Sequence, residues 1–410
     1  MNMRIAYINC VPYGSTGKIV DNLASVAANN GFETFIFFGP TRHTVSSKNK
    51  YNYIGSLPSK AFHMYLSRIT GNEGGYSYFS TKRLVKRLEE IKPDIIHLHN
   101  LHGWYLNFEY LFSYLKKSGV KIVWTLHDCW SFTGHCPHYQ LAKCDKWKKE
   151  CFCCPIFHNY PGTFIDNSSK MFRLKKALYQ DLSIHFVTPS EWLKKEFEQS
   201  FLKRNRVSVI NNGIDLSIFK PTKSDIRNKY GIKPTDYVVL GVSYGWGYNK
   251  GLDVFCDLSK KLPSNYRIVL VGTDSKVDSI LDENIIAINR TDNIEEMVKL
   301  YSTADVFLNP TREDNFPTVN MEAIACGCPV VTFNTGGSPE MLNSSTGVVL
   351  ESNDSNCAVA TIKKICEEGA FKKKEFYDQS YSFNMWDRFE EYMRLYKGEL
   401  GLSREGRNNE

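Results

Sequence analysis

TREDNFPTVNMEAIACGCPVV, residues 311–331, is the stretch on which the reading of the whole chain turns. An apolar run, Asp305 to Leu308, precedes it and has the composition of a buried parallel strand. Arg312 to Asn315 make a polar turn. Pro317 suits the first position of a helix, where its missing N–H is no loss, and Thr318 to Cys326 are good helix formers. Gly327 suits a left-handed stop, Pro329 cannot extend the helix, and Val330 to Phe333 read as the next strand. The unit is strand, loop, helix, strand, with acidic residues on both sides of the helix start.

That arrangement has a chemistry. The unbonded N–H groups near Phe316 to Asn320 form a positive helix end, suited to a phosphate or a polar sugar. Asp314 lies in the loop before that end. Glu322 sits about one turn into the helix, within reach of a ribose diol. Amides for a diphosphate beside carboxylates for sugar hydroxyls are what a nucleotide-sugar site requires. The stretch resembles the acidic signature of the large retaining GT-B glycosyltransferases of family 4: a Glu, seven residues, a second Glu, a small residue, then Gly-x-Pro-Val-Val. Glu322, Ala323, Gly327, Pro329, Val330 and Val331 match it. Asp314 stands where the family has Glu, with Glu313 one residue ahead, so either carboxylate is a candidate to face the sugar.

The chain has 410 residues, 42% hydrophobic and 23% charged, enough for two domains with full cores. No run of about 18 apolar residues suggests a membrane span. Arg4 to Ile8 form a strand with no apolar leader ahead of it, so a cytoplasmic protein is expected. Residues 1–205 carry 27 Lys and Arg against 15 Asp and Glu; the remainder is acidic, and the net charge is +7. A basic first half points to an acidic partner: anionic lipid headgroups at the inner face of the plasma membrane, or a diphosphate-linked acceptor. A solvated basic face is the plainer alternative. No nucleic-acid-binding signature accompanies the charge, so no nucleic-acid partner is expected.

Apolar strand-like runs alternate with helical patterns throughout. In the first half they fall at 4–9, 33–38, 94–98, 121–126 and 184–188. In the second they fall at 207–210, 237–243, 267–271, 285–288, 305–308, 330–333 and 347–350. Repeated βα units of this kind make parallel sheets with helices on both faces. The expected fold is therefore α/β with two Rossmann-like domains, 1–205 and 206–384, joined near Asn211 to Pro221. The family resemblance implies the GT-B arrangement, in which they face across a cleft and a last helix, here 385–400, crosses back onto the first domain. The polar tail 401–410 is expected to be disordered.

In the first domain, Gly14, Ser15, Thr16 and Gly17 follow the first strand and permit a tight turn before a helix from Ile19. This is neither a Walker A loop nor a dinucleotide fingerprint, which argues against an oxidoreductase. By resemblance it is a Gly-rich loop touching donor phosphate and acceptor. His97, His99 and His102 cluster past the strand at 94–98 without carboxylate or Cys at ligand spacing. One buried His, with Asn100 and His102 lining an acceptor pocket, is preferred to a metal site. His127 and Asp128 end the strand at 121–126. By resemblance His127 contacts the donor sugar, while Asp128 orients His127 or lines the acceptor pocket.

Six of the twelve cysteines fall between Cys129 and Cys154. Disulfides are not expected in a cytoplasmic chain. Cys136, Cys144, Cys151 and Cys154, with His135 or His138 as alternates, make a possible structural zinc set; reduced thiols are the equal alternative.

In the second domain, Lys250-Gly251 matches the family's Lys-Gly pair at the donor diphosphate. Gly245 replaces the Arg expected five residues earlier, leaving Lys250 alone or assisted by Arg290 or Arg312. Gly336-Gly337 resembles a structural family turn. The chain has no Asp-x-Asp to hold a magnesium-bound diphosphate. No pair of flanking carboxylates is evident either, so no covalent enzyme intermediate is expected. The resemblance implies metal-independent, retaining transfer from a nucleotide diphosphate sugar of the UDP or GDP type to an acceptor hydroxyl, with a lipid-linked saccharide in surface-polysaccharide assembly as the expected acceptor. His127, Asp314 and Lys250 would act at the reaction centre, with Asn315, Phe316, Pro317, Thr318, Glu322 and Arg290 on the nucleotide side. A nucleotide-sugar 2-epimerase on the same fold, or a non-catalytic nucleotide-sugar or glycan-binding subunit, are the alternatives.

Overall fold

The computed structural model describes residues 3–402 except 44, 352, 370 and 372. The expected tail falls, from 403 onward, outside the described residues. The chain forms two compact units, Met1–Asn211 with Phe389–Glu410, and Asn212–Arg388.

The first unit holds a parallel sheet of seven strands: β1 (Arg4–Asn9), β2 (Glu33–Phe38), β3 (Tyr51–Tyr53), β4 (Ile95–Leu98), β5 (Lys121–Thr125), β6 (Ile184–Thr188) and β7 (Arg206–Val209). Their order is β3-β2-β1-β4-β5-β6-β7, so the direction of winding reverses between β1 and β4. The strands read as unbroken apolar runs because both faces are covered: Ile5, Ala6, Tyr7 and Ile8 are all fully buried.

Three sequence expectations are corrected here. The strand near 207–210 was assigned to the second domain, but β7 pairs with β6 from His185–Arg206 to Thr188–Val209. The Ser208 hydroxyl meets His185 Nε2 at 2.8 Å, and Glu399 binds both His185 and Arg206. A strand's own residues do not say which sheet it joins; these long-range polar contacts do. The three-residue edge strand β3 was not expected, being too short and polar to show a period. The helix after β1 runs Gly14–Asn29, not from Ile19. Gly14 enters at φ +71°, and a Cβ at Gly17 would lie 2.4 Å from the carbonyl carbon of Pro12, so the glycines admit a tighter start.

The helix Met385–Glu399 packs on this sheet through polar aromatic contacts. The Tyr396 hydroxyl meets His97 Nδ1 at 2.6 Å, and the Tyr392 hydroxyl meets Thr125 Oγ1 at 3.0 Å.

The second unit holds β8 (Tyr237–Val242), β9 (Tyr266–Val271), β10 (Ile285–Ile288), β11 (Val306–Asn309), β12 (Val330–Phe333) and β13 (Gly347–Leu350), parallel in the order β10-β9-β8-β11-β12-β13. Successive residues of β8 serve opposite cores. Val238 and Leu240 join Phe307, Ile324 and Val330 on one face, and Val239 joins Phe255, Leu258 and Val331 on the other. Each such side chain contributes roughly 1.5–3 kcal/mol on burial. Ile214 and Phe219, from the stretch expected to link the domains, are buried in this unit's core. The winding reverses between β8 and β11. In each unit this reversal places a crevice at the strands' carboxyl ends, where open α/β sheets take ligands.

Candidate functional site

In the second unit two loops meet at the carboxyl ends of β8 and β11. Gly251 closes the turn after β8 at φ +73°, where a Cβ would sit 2.5 Å from the Pro310 carbonyl oxygen. Arg312 N donates to the Asn249 carbonyl at 2.8 Å. This seam brings Lys250 Nζ within 2.8 Å of Asp314 Oδ2, 3.3 Å of the Glu313 carbonyl and 3.4 Å of Thr311 Oγ1. Both charged side chains keep about a quarter of their surface open, 29% and 24%. Asp314 thus presents its carboxylate to Lys250, whereas Glu313 presents its backbone oxygen. Beneath them, Gly337 N donates to the Asn315 carbonyl, and Gly336 (φ +55°) lies so close that a Cβ would be 1.7 Å from the Asp314 carbonyl oxygen.

The helix following the loop is Thr318–Ala325. Pro317 is its extended N-cap, not its first helical residue, and no side chain caps the first turn. The amides there stay available to an anion. Asn315 and Phe316 are buried, fixing the approach of the loop. Glu322 is half-buried, and its Oε2 accepts from the Tyr301 hydroxyl at 2.9 Å.

Of the two arginines offered as substitutes for the missing one, Arg312 is already committed. Its two terminal nitrogens donate to Asp253 Oδ1 and Oδ2 at 2.7 and 2.8 Å, and its guanidinium carbon stacks 4.0 Å from the Tyr248 ring centroid. Both terminal nitrogens are engaged and only the buried Nε lacks a partner, so Arg312 acts as a brace. It holds Tyr248 with one ring face outward beside Lys250. Arg290 is exposed just past β10, two strands from β8.

In the first unit, His97, His99 and His127 form a connected row past β4 and β5. His97 is enclosed by Tyr396 and Thr125, and His99 Nδ1 meets His127 Nε2 at 2.9 Å. Burial, reinforced by the neighbouring imidazoles, drives His97 and His99 well below the ordinary histidine pKa; burial takes His127 down to about 4. All three are neutral at pH 7, so His127 offers hydrogen bonds rather than charge. His102 behaves oppositely. Burial works against its charge, but Asp128 Oδ2, 2.8 Å from Nε2, outweighs that and raises its pKa, while the same contact lowers that of Asp128. Asp128 therefore braces His102, and His102 Nδ1 reaches the Tyr160 hydroxyl at 2.9 Å. Asn100 is half-buried at the same strand end, its amide donating to Asn9 Oδ1. Gly14, Ser15, Thr16 and Gly17 form the first turn of their helix, uncapped by any side chain. A groove of about 820 Å³ lies at the other end of this sheet, by Asp94 and Lys121; it has none of these groups and lies away from the strands' carboxyl ends.

The zinc set is not formed. Among the described residues no three His, Cys, Asp or Glu side chains are disposed to hold a metal ion. Cys136, Cys144, Cys151 and Cys154 are free thiols, and burial pushes Cys151 up to about 11 and Cys136 higher still.

Sequence reading missed several supports. Tyr301 reads as a helix residue but orients Glu322. Buried Glu73 accepts from Trp130 Nε1 at 2.9 Å and Gly103 N at 3.2 Å, tying together the loops after β4 and β5. An acid inside an apolar, Gly-rich segment, GNEGGY, was the one available signal for it.

Comparison with known proteins agrees with this architecture. Residues 236–368 match the family model described as glycosyl transferases group 1, and residues 16–218 match glycosyltransferase family 4. The chain is 26% identical over 265 residues to WcaC, a colanic acid biosynthesis glycosyl transferase of Escherichia coli K12, covering 62% of this chain and 63% of that protein. It is 25% identical over 199 residues to the capsular polysaccharide biosynthesis glycosyltransferase CapM of Staphylococcus aureus, covering 45% of this chain and 52% of that one. The chain thus spans less than two thirds of either relative. The Anabaena protein HepE, crystallised with UDP and glucose, superposes with a TM-score of 0.69 at 14% identity, over 97% of this chain and all of that one. That likeness is one of fold, the two parallel-sheet domains of GT-B.

Proposed function

The chain belongs to the group 1, family 4 glycosyltransferases, and from that membership we propose that it moves a sugar from a nucleoside-diphosphate donor to a hydroxyl of a lipid-linked saccharide, with retention, during bacterial surface-polysaccharide assembly. The observation that carries the reading is the seam at the ends of β8 and β11. Lys250 is held beside Asp314, the uncapped start of helix Thr318–Ala325 follows, and Glu322 is aimed by Tyr301.

In this reading Lys250 and the amides at Phe316 to Thr318 neutralise the departing diphosphate, with charge developing where fixed donors already point. Asp314 and neutral His127 hold the sugar hydroxyls. Glu322 takes the ribose diol, and Arg290 lies on the base side. The open face of Tyr248, backed by Arg312, flanks the diphosphate where the family places an arginine. The Gly14–Gly17 turn, Asn100, His102 and Asp128 serve the acceptor. The leaving group is stabilised by Lys250 and backbone amides without a metal. Relatives named for colanic acid and capsule synthesis, and a fold relative crystallised with UDP and glucose, support the donor class and the setting. No helix among the described residues is long and apolar enough to cross a membrane, and we place the reaction at the cytoplasmic face of the plasma membrane.

The test is a thermal-shift screen with nucleoside diphosphates and their sugars, with chelator present. A ligand that binds the native state raises the melting temperature by mass action. One nucleotide family should give a shift that Lys250→Ala and Glu322→Ala abolish. A wild-type protein that responds to no nucleotide would end this reading. A free or epimerised sugar as the sole product with every acceptor tried would move it to the epimerase alternative.

A further inference from the structure

The helix Leu57–Thr70 is built inside out. Its buried positions are His63 and Ser67. Their polar groups are satisfied inward: His63 Nδ1 meets the Ser77 hydroxyl at 2.8 Å, Gly74 N donates to His63 Nε2 at 3.3 Å, and the Ser67 hydroxyl donates to the Asn72 carbonyl at 3.3 Å. The apolar side chains face out. Phe62 is 63% exposed, Tyr65 61% and Ile69 39%, at a spacing of three and then four that lines one stripe. Phe164 (70%) and Ile165 (55%) extend the stripe past the helix end, because Phe164 N donates to the Arg68 carbonyl at 2.7 Å. Phe79, 76% exposed, opens the adjoining helix Tyr78–Ile91. A water-facing helix normally shows the reverse pattern, and contiguous exposed apolar groups of this kind mark an interaction surface.

Charge selects the partner. Lys82, Arg83 and Lys86 follow Phe79 at spacings of three, four and seven and are all exposed, as is Arg68 beside Ile69. Nearby acids offset them only in part: Glu73 is buried among its own donors, Glu90 pairs with Arg87 at 2.9 Å, and exposed Glu89, three residues after Lys86, leaves Lys82, Arg83 and Arg68 in excess. Lys60 turns inward to the Pro40 carbonyl and is not part of the set. A second copy of this chain would bring these cations against one another. Phe, Tyr and Ile beside Arg and Lys instead match the boundary of an anionic bilayer, where rings sink to the acyl level and cations stay among phosphates.

We propose that the outward stripe of helix Leu57–Thr70, with Phe164, Ile165 and the basic face of helix Tyr78–Ile91, is the surface by which this protein sits on anionic lipid. The proposal deepens the reading of a lipid-borne acceptor, and its test contains no acceptor, so the two fail separately.

The full chain is sedimented with phosphatidylcholine vesicles, with and without phosphatidylglycerol, at low and high salt. The wild type should pellet with the anionic vesicles and be released by salt. The triple variant Phe62→Ser/Tyr65→Ser/Ile69→Gln and the triple variant Lys82→Gln/Arg83→Gln/Lys86→Gln should each partition more weakly, on the order of ten-fold or more. Both should keep the wild-type melting temperature, since the changed side chains face solvent. Wild-type protein that stays in the supernatant, or variants that pellet as well as it does, would overturn the proposal. So would self-association of the wild type that the first variant abolishes while vesicle binding is absent. Vesicle binding without any nucleotide response leaves this surface standing and removes the transferase reading instead.

Discussion

Lys250 and Asp314, 64 residues apart in sequence, meet at 2.8 Å across the ends of β8 and β11. The pair is partly open to water, so it contributes at most about 1 kcal/mol to stability. In the proposed reading it keeps a cation poised where a diphosphate would replace the carboxylate. Lys250→Ala should therefore lower turnover by roughly 10²- to 10³-fold. The melting temperature should move by no more than about 2–4 °C. Donor consumption and a thermal scan of the same preparation check both halves; equal loss of fold and activity would assign Lys250 a structural role.

Tyr301 and Glu322 can be separated by ligand choice. Tyr301→Phe removes one donor to the carboxylate and should weaken nucleoside diphosphate binding several-fold, consistent with about 1 kcal/mol for one hydrogen bond. Glu322→Ala should weaken it more. Neither should change binding of inorganic pyrophosphate, which has no ribose. Calorimetric titration with both ligands decides the matter; parallel losses would mean that Glu322 supports the loop rather than the ribose.

Gly336 tests the turn beneath the loop. Gly336→Ala forces a Cβ against the Asp314 carbonyl and places alanine at φ +55°. The left-handed backbone alone costs about 1–2 kcal/mol, so the second unit should melt lower by several degrees and nucleotide response should fall with it. Gly369→Ala is the control, with a similar φ of +62° and no neighbour within 4 Å. It should show the thermal penalty without loss of nucleotide response.

The histidine row predicts a pH dependence. His97, His99 and His127 have native pKa values depressed below the unfolded value, so the unfolded chain binds more protons once pH falls below about 6.5. Their stabilisation is complete above that pH and is lost on acidification, by about 1.4 kcal/mol per pH unit for each site that titrates. His102, with its raised pKa, runs the other way and removes part of the slope. Urea unfolding between pH 7.5 and 5 should show falling stability, and His127→Asn should flatten the slope by about one proton. An unchanged slope in that variant would place the proton uptake elsewhere.

Legibility in the sequence followed the range of the interactions. The strands were readable because both faces of each sheet are covered, so Val238, Val239 and Leu240 must all be apolar. The Asp314 to Val331 unit was readable because its turn, helix start and stop are local. The membership of β7 was not, since it depends on His185, Ser208 and Glu399 meeting from three distant segments. Nor was the role of Arg312. An arginine in a polar loop looks available until Asp253 and Tyr248, both contributed by the segment after β8, are seen to enclose it. The four cysteines were a fair ligand pattern by spacing, but among the described residues they do not form a group that could hold a metal ion.

The first sheet is completed by residues that follow the whole second unit in the chain. Tyr392, Tyr396 and Glu399 reach Thr125, His97 and His185 only after the whole second unit has left the ribosome. Until then the polar groups on that face of β4, β5 and β6 lack their final partners. A chain cut short before Met385 would leave Thr125, His97 and His185 without these partners, so such a truncation should lower the stability of the first unit although it removes none of its strands.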